Sequence, residues 1–223
     1  MPIAEAALSK MERTYPGYET HILRFPCLCE FQPNKHVRQR LAAYFHTNQP
    51  DHSYQEWYKF LPKQFACNPT SVYGKRNSSF VRYSYEKDKN KNDPRASVDM
   101  VSAVGYGRLD FILALTFPRK TPPQRESQSD ANGDDKDLEA ITHVLAHITE
   151  AKDVDQDATV ELVTYRDYGR SFILDIKNFE NVAGRVWTRG VRRTGEWAII
   201  DCSGGVARVE FNVEEHGSDD KEQ

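Results

Sequence analysis

From Val98 to Phe117 the chain reads VDMVSAVGYGRLDFILALTF, the longest predominantly apolar run in an otherwise polar sequence. Its second half alternates. Leu109, Phe111, Leu113, Leu115 and Phe117 fall on one side, Arg108, Asp110, Ala114 and Thr116 on the other, and Ile112 alone breaks the rule. A period of two is the signature of a half-buried strand. Gly105 and Gly107 punctuate the run and let the backbone turn or bulge. Residues 98–104 and 108–117 are therefore expected as two antiparallel partners.

The same reading extends in both directions. Ala4, Ala7, Leu8 and Met11 fit a short helix that Pro16 and Gly17 end. After Pro33, Asn34 is placed to cap a helix KHVRQRLAAYF with Val37, Leu41, Tyr44 and Phe45 on one face. Ser53 and Glu56 form an S-x-x-E capping box before a second helix carrying Tyr54, Trp57, Tyr58 and Leu61, closed by Pro62. Neither helix is long enough to be stable alone in water, so the pair is expected to dock as a hairpin. Strands are expected around Phe80–Tyr85, at Thr142–Thr149, on either side of Asp167–Arg170, and at VAGRVWTRGV, EWAIIDC and VARVEF. About eight strands in glycine-punctuated hairpins predict a mainly β fold, a small antiparallel barrel or curled sheet with a short N-terminal helical hairpin. The expected division is an extension over residues 1–70, a barrel-like domain over 71–211 with a disordered loop at about 119–137, and an acidic disordered tail over 212–223.

Composition narrows the function classes. Apolar residues make up 39% of the 223, a low share concentrated out of two polar stretches, the loop and the tail. No run approaches the roughly 18 apolar residues of a membrane span, and the N-terminus lacks the basic-then-apolar order of a secretory signal. An intracellular, reducing compartment is the expectation, with the four cysteines as thiols. Net charge is only −3, yet residues 31–120 hold fifteen Lys/Arg against seven Asp/Glu. Such a basic half suits a nucleic-acid or acidic partner, and it also describes an ordinary solvated surface.

Catalytic and metal motifs are not found. Cys27 and Cys29 are spaced too tightly for a zinc couple and lack a second pair, although Cys67, His21 and His36 are conceivable partners. His143 and His147 share a face of a strand about 13 Å apart, too far to chelate one ion. Ser203 and Cys202 sit in no nucleophile signature, and Gly105 and Gly107 precede no helix that would cradle a dinucleotide. No cofactor and no metal is expected, and the chain is read as a non-enzyme. A hydrolase would require two or more of His143, Asp175, Glu196 and Cys202 around one concave pocket.

Two patterns point to binding. Lys75, Arg76, Arg82, Lys87, Lys89 and Lys91 interleave with Phe80, Tyr83 and Tyr85, which suits phosphate contact with base stacking and equally an edge strand guarded by lysine. Trp187 and Trp197 lie on strands joined by RRTG and, with Tyr106 or Tyr168, suit an aromatic cage for a methylated lysine; packing of the tryptophans in the core is the competing reading.

The order YGRLDFILALTF, HVLAHITEA, FILDIKNFENVAGRVWTR, preceded by KHVRQRLAAYF, resembles the C-terminal region of basidiomycete transposon-encoded proteins of the KDZ and Plavaka kind, over roughly residues 35–211. Gly107-Arg108 before a strand and the later VAGRV are similar to a bromo-adjacent homology (BAH) domain, a β-rich chromatin module. These resemblances imply a nuclear module of a fungal, transposon-derived protein that binds chromatin, such as a histone tail, or another protein. The alternative is a DNA- or RNA-binding module using the basic half. No transposase carboxylate carries over, because the catalytic region lies outside the match.

Overall fold

In the computed structural model, residues 10, 12–24, 27–69, 80–117, 140–189 and 195–201 are described. In chain order the elements are β1 (Glu12–Arg13), β2 (Leu23–Arg24), β3 (Leu28–Phe31), α1 (Lys35–Asn48), α2 (Tyr54–Phe60), β4 (Phe65–Pro69), β5 (Phe80–Asp88), β6 (Met100–Phe117), β7 (Ile141–Ala151), β8 (Thr164–Tyr165), β9 (Tyr168–Asp175), a 3-10 turn (Ile176–Asn178), β10 (Phe179–Val182), β11 (Gly184–Thr188) and β12 (Glu196–Ile200). The fold is mainly β, a curled antiparallel half-barrel with two helices. Among the described residues no helix is long and apolar enough to cross a membrane. The expected loop at 119–137, the strand at 206–211, the acidic tail and most of the helix at 4–12 lie outside the described residues.

The helices start where their caps dictate. The Asn34 side chain accepts from the Val37 N–H at 2.9 Å, and Ser53 and Glu56 form the reciprocal capping box. Each cap satisfies backbone donors that a helix start leaves over. α1 then buries Val37, Leu41, Ala42 and Phe45, α2 buries Trp57, and Phe45 stacks on Trp57 with ring centroids 5.0 Å apart. These side chains meet Leu113, Leu115, Leu145, Ile173, Phe65 and Cys67 of the sheet in one core. Each fully buried Leu or Phe there contributes about 1.5–3 kcal/mol.

The expected boundary at residue 70 is corrected by this packing. β4 pairs with β6 from Ala66 opposite Ala114 to Pro69 opposite Phe111, and β3 pairs with β4. Strands and helices from the first 70 residues thus complete the core of the sheet instead of forming an extension.

β6 brings a second correction. It is one continuous strand of 18 residues, not two antiparallel partners. Neither glycine makes a turn; each makes room. A Cβ at Gly105 would lie 2.6 Å from the Tyr83 ring, and one at Gly107 would lie 2.8 Å from the Thr149 carbonyl oxygen. The real irregularity is at Asp110. Leu109 lies opposite Ile148 while Phe111 lies opposite His147, so Asp110 is the extra residue of a bulge. The slip moves Leu109 off the face of Phe111, Leu113 and Leu115. It packs instead with Tyr83 and Ile148, on the other side of the sheet.

Curvature follows from one ring contact. Tyr83 of β5 and Phe172 of β9 have centroids 5.5 Å apart, although β6 and β7 run between their strands. Three spacings of a flat sheet would separate them by about 14 Å. The sheet therefore rolls toward closure, bringing side chains of β5 and β9 together on one face, while β10 pairs along the outer edge of β5. Over the other end of β6, a three-stranded sheet in the order β11-β12-β8 covers a second core of Phe80, Tyr106, Val163, Tyr165, Ala183 and Ile199.

Candidate functional site

The aromatic cage expected from Tyr106, Trp187 and Trp197 is corrected by the second core. Tyr106 is 1% exposed, and its hydroxyl donates to Asp201 at 2.8 Å and accepts from the Ala158 N–H at 3.1 Å. Burial, then the bond to Asp201, pushes its pKa up and keeps it neutral. Trp187 and Trp197 are opposite each other in the β11–β12 pair and meet edge to face at 5.1 Å. Trp197 already holds a cation: the Arg185 guanidinium lies 4.4 Å from its ring centroid and 5.7 Å from that of Phe80. Arg185 also donates to the Tyr165 hydroxyl at 2.9 Å and to that of Tyr168. A cation–π box is present, and the chain's own arginine fills it. Arg185 stands two before Trp187 on the same strand face, which was the signal for it.

Arg82 is not a phosphate ligand either. Its side chain is 11% exposed and meets Asp157 through two parallel bonds of 2.7 and 3.0 Å, Asp201 at 3.0 Å, and Glu180. Burial opposes its charge, and the three carboxylates outweigh burial and hold its pKa above the ordinary arginine range. The same contact lowers Asp157 to about 2. Of the remaining basic candidates, Lys89 and Lys91 are exposed, and Lys87 lies 3.7 Å from Asp155. Asp88, Asp93 and Asp99 alternate with them on the same hairpin. Lys75 and Arg76 lie outside the described residues.

The histidines pack, as their strand placement requires. His143 sits between Phe45 and Phe117, and burial lowers its pKa. His147, 6% exposed, has Nδ1 2.9 Å from Asp110, which also accepts from Thr149 at 2.7 Å and Arg108 at 2.7 Å. Burial opposes ionisation of Asp110, yet these bonds lower its pKa. His147 Nε2 is buried with no hydrogen-bond partner among the described residues. No group of three or more His, Cys, Asp and Glu there is arranged to hold a metal. Cys67 is buried, which pushes its thiol up to about 11, away from reactive thiolate.

What sequence reasoning missed is a groove of about 560 Å³ lined by α1, β5 and β9. One wall is the α1 stripe Arg40, Ala43, Tyr44 and Thr47, spaced i, i+3, i+4, i+7; the floor is Ser171–Leu174 of β9; the far wall is Tyr83, Tyr85 and Gly105. β9 pairs with β7 on one side and with no strand on the other among the described residues. The Ser171 carbonyl turns from β7 to accept from Arg40 Nε at 2.8 Å, and the hydroxyls of Ser171 and its cross-strand partner Thr149 are 3.0 Å apart. Such close side chains mark a pair not bonded through the ladder. Ile173, two residues on, therefore turns its own N–H and C=O toward the groove.

The groove's chemistry is that of contact. Burial, then the charge of Asp175, pushes Tyr44 up to about 12, and burial likewise raises Tyr83, so both remain hydroxyls. At one end Arg170, with its side chain largely exposed, pairs with Glu150 at 3.5 Å. His143, Asp175 and Glu196 do not line it, and Cys202 lies outside the described residues. No known protein family, curated protein or solved structure matches the chain.

Proposed function

We propose that this chain is a non-enzymatic protein-interaction module that takes an extended peptide as an added strand along β9. The observation that carries this reading is a strand edge that pairs with no strand among the described residues and lies in a tyrosine-walled groove. Main-chain bonds at such an edge supply affinity and side-chain pockets supply choice. The peptide that fits has apolar side chains at alternate positions, to meet Tyr83 and Phe172, with charged residues between them to meet Arg170 and Glu150. The resemblance to BAH modules and to fungal transposon-encoded proteins directs the first trials to histone tails and other chromatin proteins of a nucleus.

The test is a peptide array that includes histone tails, probed with the 223-residue chain and followed by fluorescence anisotropy. Ala43 is exposed on the groove wall, so Ala43→Arg should fill the groove at little cost to the fold. Binding should fall at least tenfold in that variant while circular dichroism is unchanged. Peptide binding that ignores the variant would overturn the groove reading, and a labelled oligonucleotide that binds in its place, weakening steeply with salt, would favour nucleic acid at Lys89 and Lys91.

A further inference from the structure

We infer that the peptide added along β9 is a chain end, and that its terminal carboxylate is received by Arg40; this deepens the strand-addition reading and rests on it. The Arg40 guanidinium is engaged at one atom. Its Nε donates to the Ser171 carbonyl at 2.8 Å, while Nη1 and Nη2 meet no acceptor and no carboxylate among the described residues. Its neighbours are committed: Arg38 donates to the carbonyls of Tyr58, Leu61 and Pro62, and Arg170 pairs with Glu150. Arg40 is also half-buried in the groove wall, where a charge without a counter-ion is screened less than on open surface.

The same bond sets where an added strand must stop. Ile173 turns both its N–H and its C=O to the groove, but at Ser171, two residues back, the carbonyl is already taken by Arg40. A strand that enters at Ile173 loses its next ladder bond there and meets a guanidinium instead. β9 is antiparallel to β7, and a newcomer that continues the pattern runs toward Arg40 with its C-terminal end leading. The charges along the groove favour that direction. Arg40 and Arg170 stand at the Ser171 end, and Asp175, at the far end of β9, supplies the negative charge that helps to raise Tyr44. A parallel strand would press its ammonium against Arg40. With the last peptide residue opposite Phe172, its carboxylate falls where a further N–H would have approached Ser171, and the two Nη groups are the donors left to bind it as a fork.

The test uses seven-residue peptides that alternate Val, Leu or Phe with Lys or Glu and end on an apolar residue. One set carries free C-terminal acids and the other C-terminal amides, and both are read by fluorescence anisotropy on the 223-residue chain. The tightest free acid should bind about tenfold or more better than its own amide, a comparison on the wild type that no folding defect can imitate. Arg40→Gln keeps an N–H for Ser171 and removes the charge. It should bring acid and amide to within about twofold of each other while circular dichroism is unchanged. An added amide ending in Glu should bind no better than the other amides; if it matches the free acid, a side-chain carboxylate serves and the chain-end assignment is overturned. Equal binding of acid and amide, blocked alike by Ala43→Arg, overturns the inference and leaves strand addition standing. If no peptide of either set binds in a manner blocked by Ala43→Arg, both fall.

Discussion

Arg82 and Arg185 are two cations on the margin of the same core, held by opposite chemistries. Arg82 is gripped by three carboxylates from three separate segments, at Asp157, Glu180 and Asp201. Arg185 lies among rings, over Trp197 and beside Phe80, with tyrosine hydroxyls as its acceptors. The difference is in what each leaves behind when removed. Taking away Arg82 leaves the fully buried Asp201 carboxylate without that cation, although Tyr106 and Asn181 still donate to it. Taking away Arg185 leaves neutral rings that can close on one another. The first site is a lock joining distant parts of the chain, and the second is a filling.

The largest break in this comparison is Arg82→Ala, expected to lower unfolding free energy by about 3–5 kcal/mol in urea titration. Adding Asp201→Asn should return part of that loss, since that buried charge is then gone. An unmoved midpoint in Arg82→Ala would mean the carboxylates do not depend on it. Acid separates the two sites next. Asp157 ionises at about 2 in the folded chain against 3.8 unfolded, so the stability it supplies is complete above pH 3.8 and is lost as pH falls through about 2. Over that interval the Arg82 contacts should loosen while the indole resonance of Trp197 keeps its native shift, because Arg185 is held by rings and tyrosine hydroxyls and not by carboxylates. Arg185→Met should cost about 1–2 kcal/mol, the scale of a desolvated cation–π contact with its hydrogen bonds. Trp187→Ala should cost least, at most about 1 kcal/mol, because 52% of the residue is already exposed.

His143 offers a check from the other core. Burial lowers its pKa, and its Nε2 lies 3.4 Å from the Gln49 side-chain amide, a donor that a neutral ring can accept from and a charged ring cannot. Its contribution is present above pH 6.5 and fades as acid protonates the folded ring. His143→Phe should flatten the slope of stability with pH below 6.5, measured by urea midpoints across pH.

The strands were legible because burial on one face leaves a period of two, and the helix starts because capping chemistry is local. The sites were not. Arg82 reads as a surface charge in an aromatic-basic run, and only the fold brings Asp157 and Asp201 to it across 75 and 119 positions. The glycines of β6 read as turns, since the clearance they give Tyr83 and Thr149 is set by strands elsewhere in the chain. The bulge at Asp110 inverts the side on which Leu109 falls, and nothing in the alternation marks it. The groove exists only because the sheet rolls, which is a property of seven strands together.

The length of β6 bears on how the molecule comes apart. This one strand borders β5 at its start, β4 and β7 towards its end, and contributes to the core under the helices and to the one under the small sheet. Neither half owns it, so neither can be cut out as a self-sufficient fragment. Denaturation should be a single cooperative event whether it is followed at Trp57 or at Trp197.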